Sequence, residues 1–546
     1  MVEVFTSRSG SPSIRVEGVA LHSAYDPSRE AERFARNSLG SELPSTIVVL
    51  GEGLGYLTRW LVHTYPGVRV LTIFYSTDVF QKSAELSQLP PPHALWHPGM
   101  GQGIADFLRT HIGELDVEGL RTLEWPPSAR LFSRHSRSAN EALQQCLMEA
   151  NGSLVTTMSM GRLWLRNCLA NFLMLGDLFE GAPCAPDRLV VIAASGPSLE
   201  TAAPLLREIR DAVDIWALPS SAPFLMDAGL SPDLFILTDP GFYGIAHLHH
   251  AAPPCPVAMP LSAARGLWRL LRPGTPNPVR PFLLAQPGML EEAFLKALGV
   301  SAPVVAPHGT VAATALDLAY ASTKGPVICA GLDMCTYDIF SHARPNEFER
   351  FFLMRSTRTA PSYSSMFRRS VDQKAIRIPG DREERAPLSL RTYAGWLANE
   401  NKESDGRLYR LLPSVVALPT MIPLDGDSMR NLARRSAPSR PGPNLVRRPP
   451  LPSRAERVSR GSRILEDWRK TLRAAKREAH GGEALDSLTT KPILSLTYQL
   501  AARQLLETRR AARLGDRRKA VESAIALLDD CEQFLYRLQE RALNAN

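Results

Sequence analysis

The chain has 546 residues. That is beyond the roughly 250–300 at which one hydrophobic core stops growing, so two or three domains are expected. A composition of 44% hydrophobic, 22% charged and 7% aromatic residues excludes disordered, collagenous and coiled-coil chains. With 63 basic against 55 acidic residues, the net charge of +8 is too mild at this length to argue for nucleic acid.

In chain order, a helix is predicted over 27–38 and a buried strand over 45–50, followed by the loop Gly51-Glu52-Gly53-Leu54-Gly55, a helix over 56–65 and a strand over 68–75. This is a βαβ unit with a glycine-rich first turn. An adenosine site needs an acid at the end of the second strand, where Phe74-Tyr75-Ser76 stand with Asp78 only nearby, so the loop reads first as a structural turn. Amphipathic helices over 138–150 and 161–179 lead into a second region. There, strands are predicted at 188–193, 214–218, 234–237, 257–259, 304–306 and 326–330, separated by helices such as 311–321. Such alternation implies a second parallel sheet. The fold class is therefore α/β: two Rossmann-like doubly wound parallel-sheet domains, over 1–150 and 151–428, followed by a C-terminal α-helical region over 462–546. Between them, 429–461 reads as an extended linker, because Met429 to Ala455 holds seven arginines, interleaved prolines and no acid.

The turn Ala194-Ser195-Gly196-Pro197-Ser198-Leu199 presents backbone N–H groups and a helix N-terminus to an anion. Gly196 permits close approach, Pro197 suits a first helical turn and Ser198 adds a hydroxyl; a sharp turn capped by Ser195 fits the same residues equally well. Two metal patterns read as structural. Asp425-Gly426-Asp427 is a turn before it is a cation site, and His247, His249 and His250 form a surface cluster without an acid or cysteine at ligand spacing. No metal or cofactor is expected. The seven cysteines are scattered, with no C-x-x-C, as in a reducing compartment. Neither a signal-peptide pattern nor an apolar run of about 18 residues is found, so a soluble, cytoplasmic protein without membrane insertion is expected.

Four elements in order carry a resemblance: the G-P-S-L turn at 196–199; Pro232-Asp233 leading to Asp239-Pro240; Gly309-Thr310-Val311; and Gly331-Leu332-Asp333, followed by Ser341-His342-Ala343. Together with Leu21-His22-Ser23 to Glu30-Ala31, and with Trp164, Asn167 and Asn171, they resemble the motility-associated (Maf) flagellin glycosyltransferases over residues 20–400. The central part is also similar to bacterial sialyltransferases and to hydroxymethylpterin pyrophosphokinase-like proteins. The resemblance implies transfer of a pseudaminic- or legionaminic-type nonulosonic acid from its CMP donor to serine or threonine of flagellin, without a metal. It implies that Ser195, Gly196, Pro197, Ser198, Ser220, Ser221, His308, Gly309 and Thr310 hold the nucleotide or sugar. His342 would be the base, with His308 second, and Asp239 and Asp333 would bind ribose or position the sugar. Residues 350–369, with Arg355, Arg358, Arg368 and Arg369, are candidates for a lid. The alternatives are a magnesium-dependent pterin pyrophosphokinase-like enzyme and a non-catalytic flagellin-binding adaptor.

Overall fold

The structure is a computed structural model that describes residues 2–40, 42–86, 94–248, 255–265, 267, 281–307, 309–378, 382–399, 406–414, 416, 418–436, 443–448, 450–480 and 488–544. Contacts divide the chain into two units, one of residues 1–158, 474–490 and 501–529, the other of 159–473, 491–500 and 530–546.

The first unit holds a parallel sheet in the order Leu95–Trp96, Arg69–Ile73, Thr46–Leu50, Leu120–Glu124. Both faces of the central strand are covered, which is why it reads as an unbroken apolar run. Ile47 and Val49 pack with Leu57, Leu61, Ala31 and Ala35 on one side, while Val48 and Leu50 pack with Phe107, Leu108 and Leu143 on the other. Helix Pro27–Ser38 begins where Asp26 accepts the Arg29 N–H at 3.0 Å. The glycine loop is closed from within. Glu52, fully buried, accepts N–H groups of Gly53 and Thr58, each at 2.9 Å, and the Thr58 hydroxyl at 2.7 Å. His22 Nε2 takes the Leu54 N–H at 2.8 Å. The donors that an exogenous phosphate would use are thus satisfied by the chain itself. A short antiparallel sheet, Val2–Thr6, Pro12–Val16 and Val19–Ala20, was not anticipated. Its signal was Glu17-Gly18, both at positive φ (52° and 83°), the pair a two-residue hairpin turn requires.

The second unit is built on a ten-stranded sheet. Its order is Ile422–Leu424, Leu408–Leu411, Val327–Ala330, Val190–Ala193, Asp214–Ala217, Leu234–Ile236, Val257–Met259, Pro281–Leu283, Phe179–Ala182, Asn444–Arg447. Every pairing is parallel except the last. Three expectations are corrected. First, the two helices over 138–150 and 161–179 are one helix, Ser133–Met174, because Leu154 and Thr157 are buried and Thr156 turns its hydroxyl onto the Gly152 carbonyl at 2.8 Å, leaving the intervening polar stretch helical. Second, 304–306 contributes only an isolated bridge, Val304 to Ala285. Third, the 429–461 linker is structured in large part. Helix Gly426–Arg435 runs into it, Asn444–Arg447 adds the antiparallel edge strand against Phe179–Ala182, and helix Arg454–Glu478 begins within it. Prolines are tolerated on either side of an edge strand because no interior ladder bond is lost. Helices Arg454–Glu478, Lys491–Arg513 and Arg517–Leu543 make up the C-terminal helical region, of which 474–490 and 501–529 belong to the first unit and the rest to the second. Gly161 allows Lys491–Arg513 to approach closely, since a Cβ there would overlap the Gln499 carbonyl. Among the described residues no helix is long and apolar enough to cross a membrane, and all seven cysteines are buried and unbridged.

Candidate functional site

Strand order reverses between Val190–Ala193 and Val327–Ala330, the place where open α/β sheets form a crevice beyond their carboxyl ends. The turns leaving these two strands press together there. Gly196 donates its N–H to the Gly331 carbonyl at 2.7 Å. Gly331 sits at φ +70°, and a Cβ on it would lie 2.6 Å from the Ala194 carbonyl; a Cβ on Gly196 would lie 2.5 Å from the Gly331 carbonyl. Glycine at both positions is the condition for this contact.

Asp333 locks the junction. Its carboxylate accepts the Ser198 N–H at 2.8 Å and the Ser198 hydroxyl at 2.6 Å. Burial pushes the carboxyl upward in pKa, opposed by the bonds from Ser198 and Ser414 and by the Arg410 charge. The N-terminus of helix Ser198–Glu208 is therefore already occupied by an internal carboxylate, as Glu52 occupies the loop of the first unit. Gly196 lines the pocket but Pro197 and Ser198 do not, and Ser198 has committed both of its donors to Asp333.

Helix Val311–Ser322 is the contrast. Thr310 stands at its N-cap with no side-chain cap, its first turn has no acid, and Thr310, Val311 and Ala312 line a pocket of about 910 Å³ of empty space including its open mouth. Here the positive end of a helix opens into a cavity with no acid in its first turn and no side chain capping it. Gly309 is exposed just outside, where a Cβ would come 3.3 Å from the Tyr393 ring. His308 lies outside the described residues.

The pocket gathers most of the predicted site: Ser195, Gly196, Ser220, Asp239, Thr310, Asp333 and His342 line it. Ser221 does not; it is fully buried, donating its hydroxyl to the Ala193 carbonyl at 2.6 Å and so holding the adjacent turn. Asp239 uses one carboxylate oxygen to cap the Gly241 N–H at 2.7 Å. His342, partly accessible at the wall, bonds Ser341 Oγ through Nδ1 at 2.8 Å and packs 4.8 Å from the Phe348 ring. His247, read from the sequence as a surface residue, is 3% exposed, lies with its ring centroid 5.0 Å from that of Phe348 and lines the same pocket. Its Nδ1 is buried with no hydrogen-bond partner among the described residues. Tyr243, Phe348 and Tyr393 complete the wall. Nothing local in the sequence announced them: Phe348 comes from helix Glu347–Met354, and Tyr393 from helix Leu388–Asn399. The 350–369 stretch expected as a lid is formed by helices Glu347–Met354 and Ser362–Val371. His249 and His250 lie outside the described residues. Asp425 caps helix Gly426–Arg435 through the Ser428 N–H at 2.7 Å, and Asp427 pairs with Arg430 at 2.9 Å, the turn reading of that motif.

Burial lowers both histidines from 6.5 to about 4; for His342 the neighbouring His247 and Arg369 charges add to the effect. Both are neutral imidazoles near pH 7. A histidine depressed in the folded state contributes stability that is complete above its unfolded pKa near 6.5 and is lost as pH falls toward 4. The thermal midpoint is therefore expected to drop across that window, and more steeply for the wild type than for His247→Gln. Equal slopes for the two proteins would contradict the buried neutral state.

Residues 167–338 match the family model described as 6-hydroxymethylpterin diphosphokinase MptE-like. An uncharacterized protein of Treponema pallidum (strain Nichols) is 27% identical over 317 residues, covering 57% of this chain and 64% of that protein, just under two thirds of its length. A second uncharacterized protein of the same organism is 24% identical over 216 residues, covering 37% of this chain and 72% of that one. Among solved structures, the Maf glycosyltransferase from Magnetospirillum magneticum AMB-1 aligns over 99% of this chain and 92% of its own, with a TM-score of 0.53 at 14% identity. The chain has the Maf glycosyltransferase fold. Within that Maf-like fold, the MptE-like segment contains both glycine turns, Asp239, Thr310 and Asp333, and it ends just before His342.

Proposed function

We propose that the chain is a glycosyltransferase that moves a nonulosonic acid of pseudaminic or legionaminic type from its CMP donor to serine or threonine hydroxyls of flagellin, in the cytoplasm and in support of filament assembly. The observation that carries the reading is the uncapped helix N-terminus at Thr310 and Val311, set in one pocket with the neutral His342. The donor phosphate would lie against Thr310 and the first-turn N–H groups, which stabilise the negative charge that develops as CMP departs. The acceptor oxygen bonds to the anomeric carbon, the bond from that carbon to the phosphate oxygen breaks with its electron pair leaving on CMP, and the hydroxyl proton passes to His342. Asp239, with one oxygen on the Gly241 N–H, keeps the other for a ribose or sugar hydroxyl.

The test is the intact mass of flagellin after incubation with the protein and CMP-pseudaminic or CMP-legionaminic acid, with and without EDTA. A gain of one or more sugar masses, absent with Asp239→Ala and indifferent to EDTA, is expected. The family-model match to a pterin diphosphokinase supports a second reading. No gain with either donor, but a pyrophosphorylated pterin from ATP and magnesium, would establish it; flagellin binding with neither product would leave an adaptor.

A further inference from the structure

Away from the pocket floor, three elements of the second unit bring arginines together without acids to match. Arg162 and Arg166, four residues apart on helix Ser133–Met174, place their guanidinium groups 5.1 and 5.2 Å from the ring centroid of Phe534 on helix Arg517–Leu543. Arg537 and Arg541 continue the Phe534 face of that helix at three- and four-residue steps. Arg265 joins them from the loop after Leu261 to Ala264. Arg162 is paired with Asp530. Arg166, Arg265, Arg537 and Arg541 are exposed, and among the described residues none has a carboxylate partner. They sense one another: burial and the charges of Arg541, Arg162, Arg265 and Arg537 make Arg166 less basic.

The cluster backs onto the pocket. Asn167, next to Arg166, donates to the Pro240 carbonyl at 2.9 Å and the Ser262 carbonyl at 3.2 Å, and the Ala264 N–H donates to the Asp239 carbonyl at 2.9 Å. The loop that carries Asp239 into the cavity is thus held by the segments that carry Arg166 and Arg265. The same loop continues into Phe242, 68% exposed.

We infer that the face made by Arg166, Arg265, Arg537 and Arg541 docks an acidic segment of the polypeptide that receives the sugar. Charges spread over two helices and a loop match an extended, multivalent anion better than a single phosphate, and such a partner relieves their mutual repulsion. The aromatic ring at the centre, Phe534, is 4% exposed beneath guanidinium groups, so no stacking platform for nucleobases is offered. The occupant's identity as acceptor rests on the transferase reading; its binding does not.

The experiment therefore omits the donor. A fluorescein-labelled Asp/Glu-rich peptide is titrated with the full chain by fluorescence anisotropy at low and at high salt, beside a single-stranded oligonucleotide and anionic lipid vesicles. Arg537→Glu/Arg541→Glu is expected to weaken the peptide at least about tenfold, with an unchanged thermal midpoint, and high salt to weaken it similarly. Arg518→Glu, an 89% exposed arginine on the same helix that is ion-paired to Glu522, should leave binding intact. No peptide binding, equal binding by the double variant, or preference for oligonucleotide or vesicle overturns the inference. Peptide binding that follows the double variant in a protein that transfers no sugar would mean that the transferase reading fails while the docking face stands.

Discussion

Asp333→Ala is expected to cost about 3 kcal/mol of stability and to abolish activity at any temperature where the variant stays folded. Two charge-assisted hydrogen bonds to Ser198 vanish, each of order 1.5 kcal/mol or more, and the Ser198 N–H and hydroxyl are left in a site that is 4% exposed. The carboxylate also faces the Arg410 charge, which is itself depressed in basicity by burial. Removing one member leaves the other uncompensated. Because Asp333 ties the turn at 331 to the start of helix Ser198–Glu208, the pocket floor should loosen with its loss. Asp333→Asn separates the parts: it keeps an acceptor for one Ser198 donor and should recover about half of the stability. Chemical denaturation of the three proteins checks this, and a wild-type midpoint for Asp333→Ala would refute it.

His342→Ala is expected to lower kcat for sugar transfer about 10²- to 10⁴-fold, the usual contribution of a positioned general base, with little change in donor KM. The pH profile is more diagnostic than the loss. With the imidazole near 4 in the free protein, kcat/KM should stay level down to about pH 5 and fall below that. Donor binding brings phosphate and carboxylate charges beside the ring, which favours its protonated form, so the acid limb of kcat should lie at higher pH than that of kcat/KM. Ser341→Ala, which removes the 2.8 Å bond that orients the ring, should show a milder loss of kcat with the same limbs. Coincident acid limbs in the wild type would remove His342 from the role of base.

The sequence was most legible where a residue's duty is local. Helix Pro27–Ser38 was read to its limits because Asp26, Pro27 and the apolar spacing all act within a few residues. The strand-turn-helix units at 46–64 and 190–208 were read because buried parallel strands are apolar throughout and their turns need glycine. Asp239 and Asp333 were placed at carboxyl ends of strands, where crevices of such sheets lie. What those residues do was a different matter. Ser198 pairs with Asp333, 135 positions away, so no window of sequence could show that this helix start is filled while the one at Thr310 is open. His247 reads as a surface residue because no acid or cysteine stands at ligand spacing, yet it is buried, with Phe348, a hundred residues later, packed against it.

Amino-acid sequence alone thus determined the α/β class, the glycine turns and several of the pocket's side chains, among them Ser195, Ser220, Asp239, Asp333 and His342. Tertiary structure decided which of two similar helix starts is left for a ligand, which serines are consumed by internal bonds, and where arginines from distant segments accumulate. The physical reason is that backbone propensity and apolar periodicity are short-range, whereas the satisfaction of a buried donor or charge depends on whichever partner the completed fold delivers.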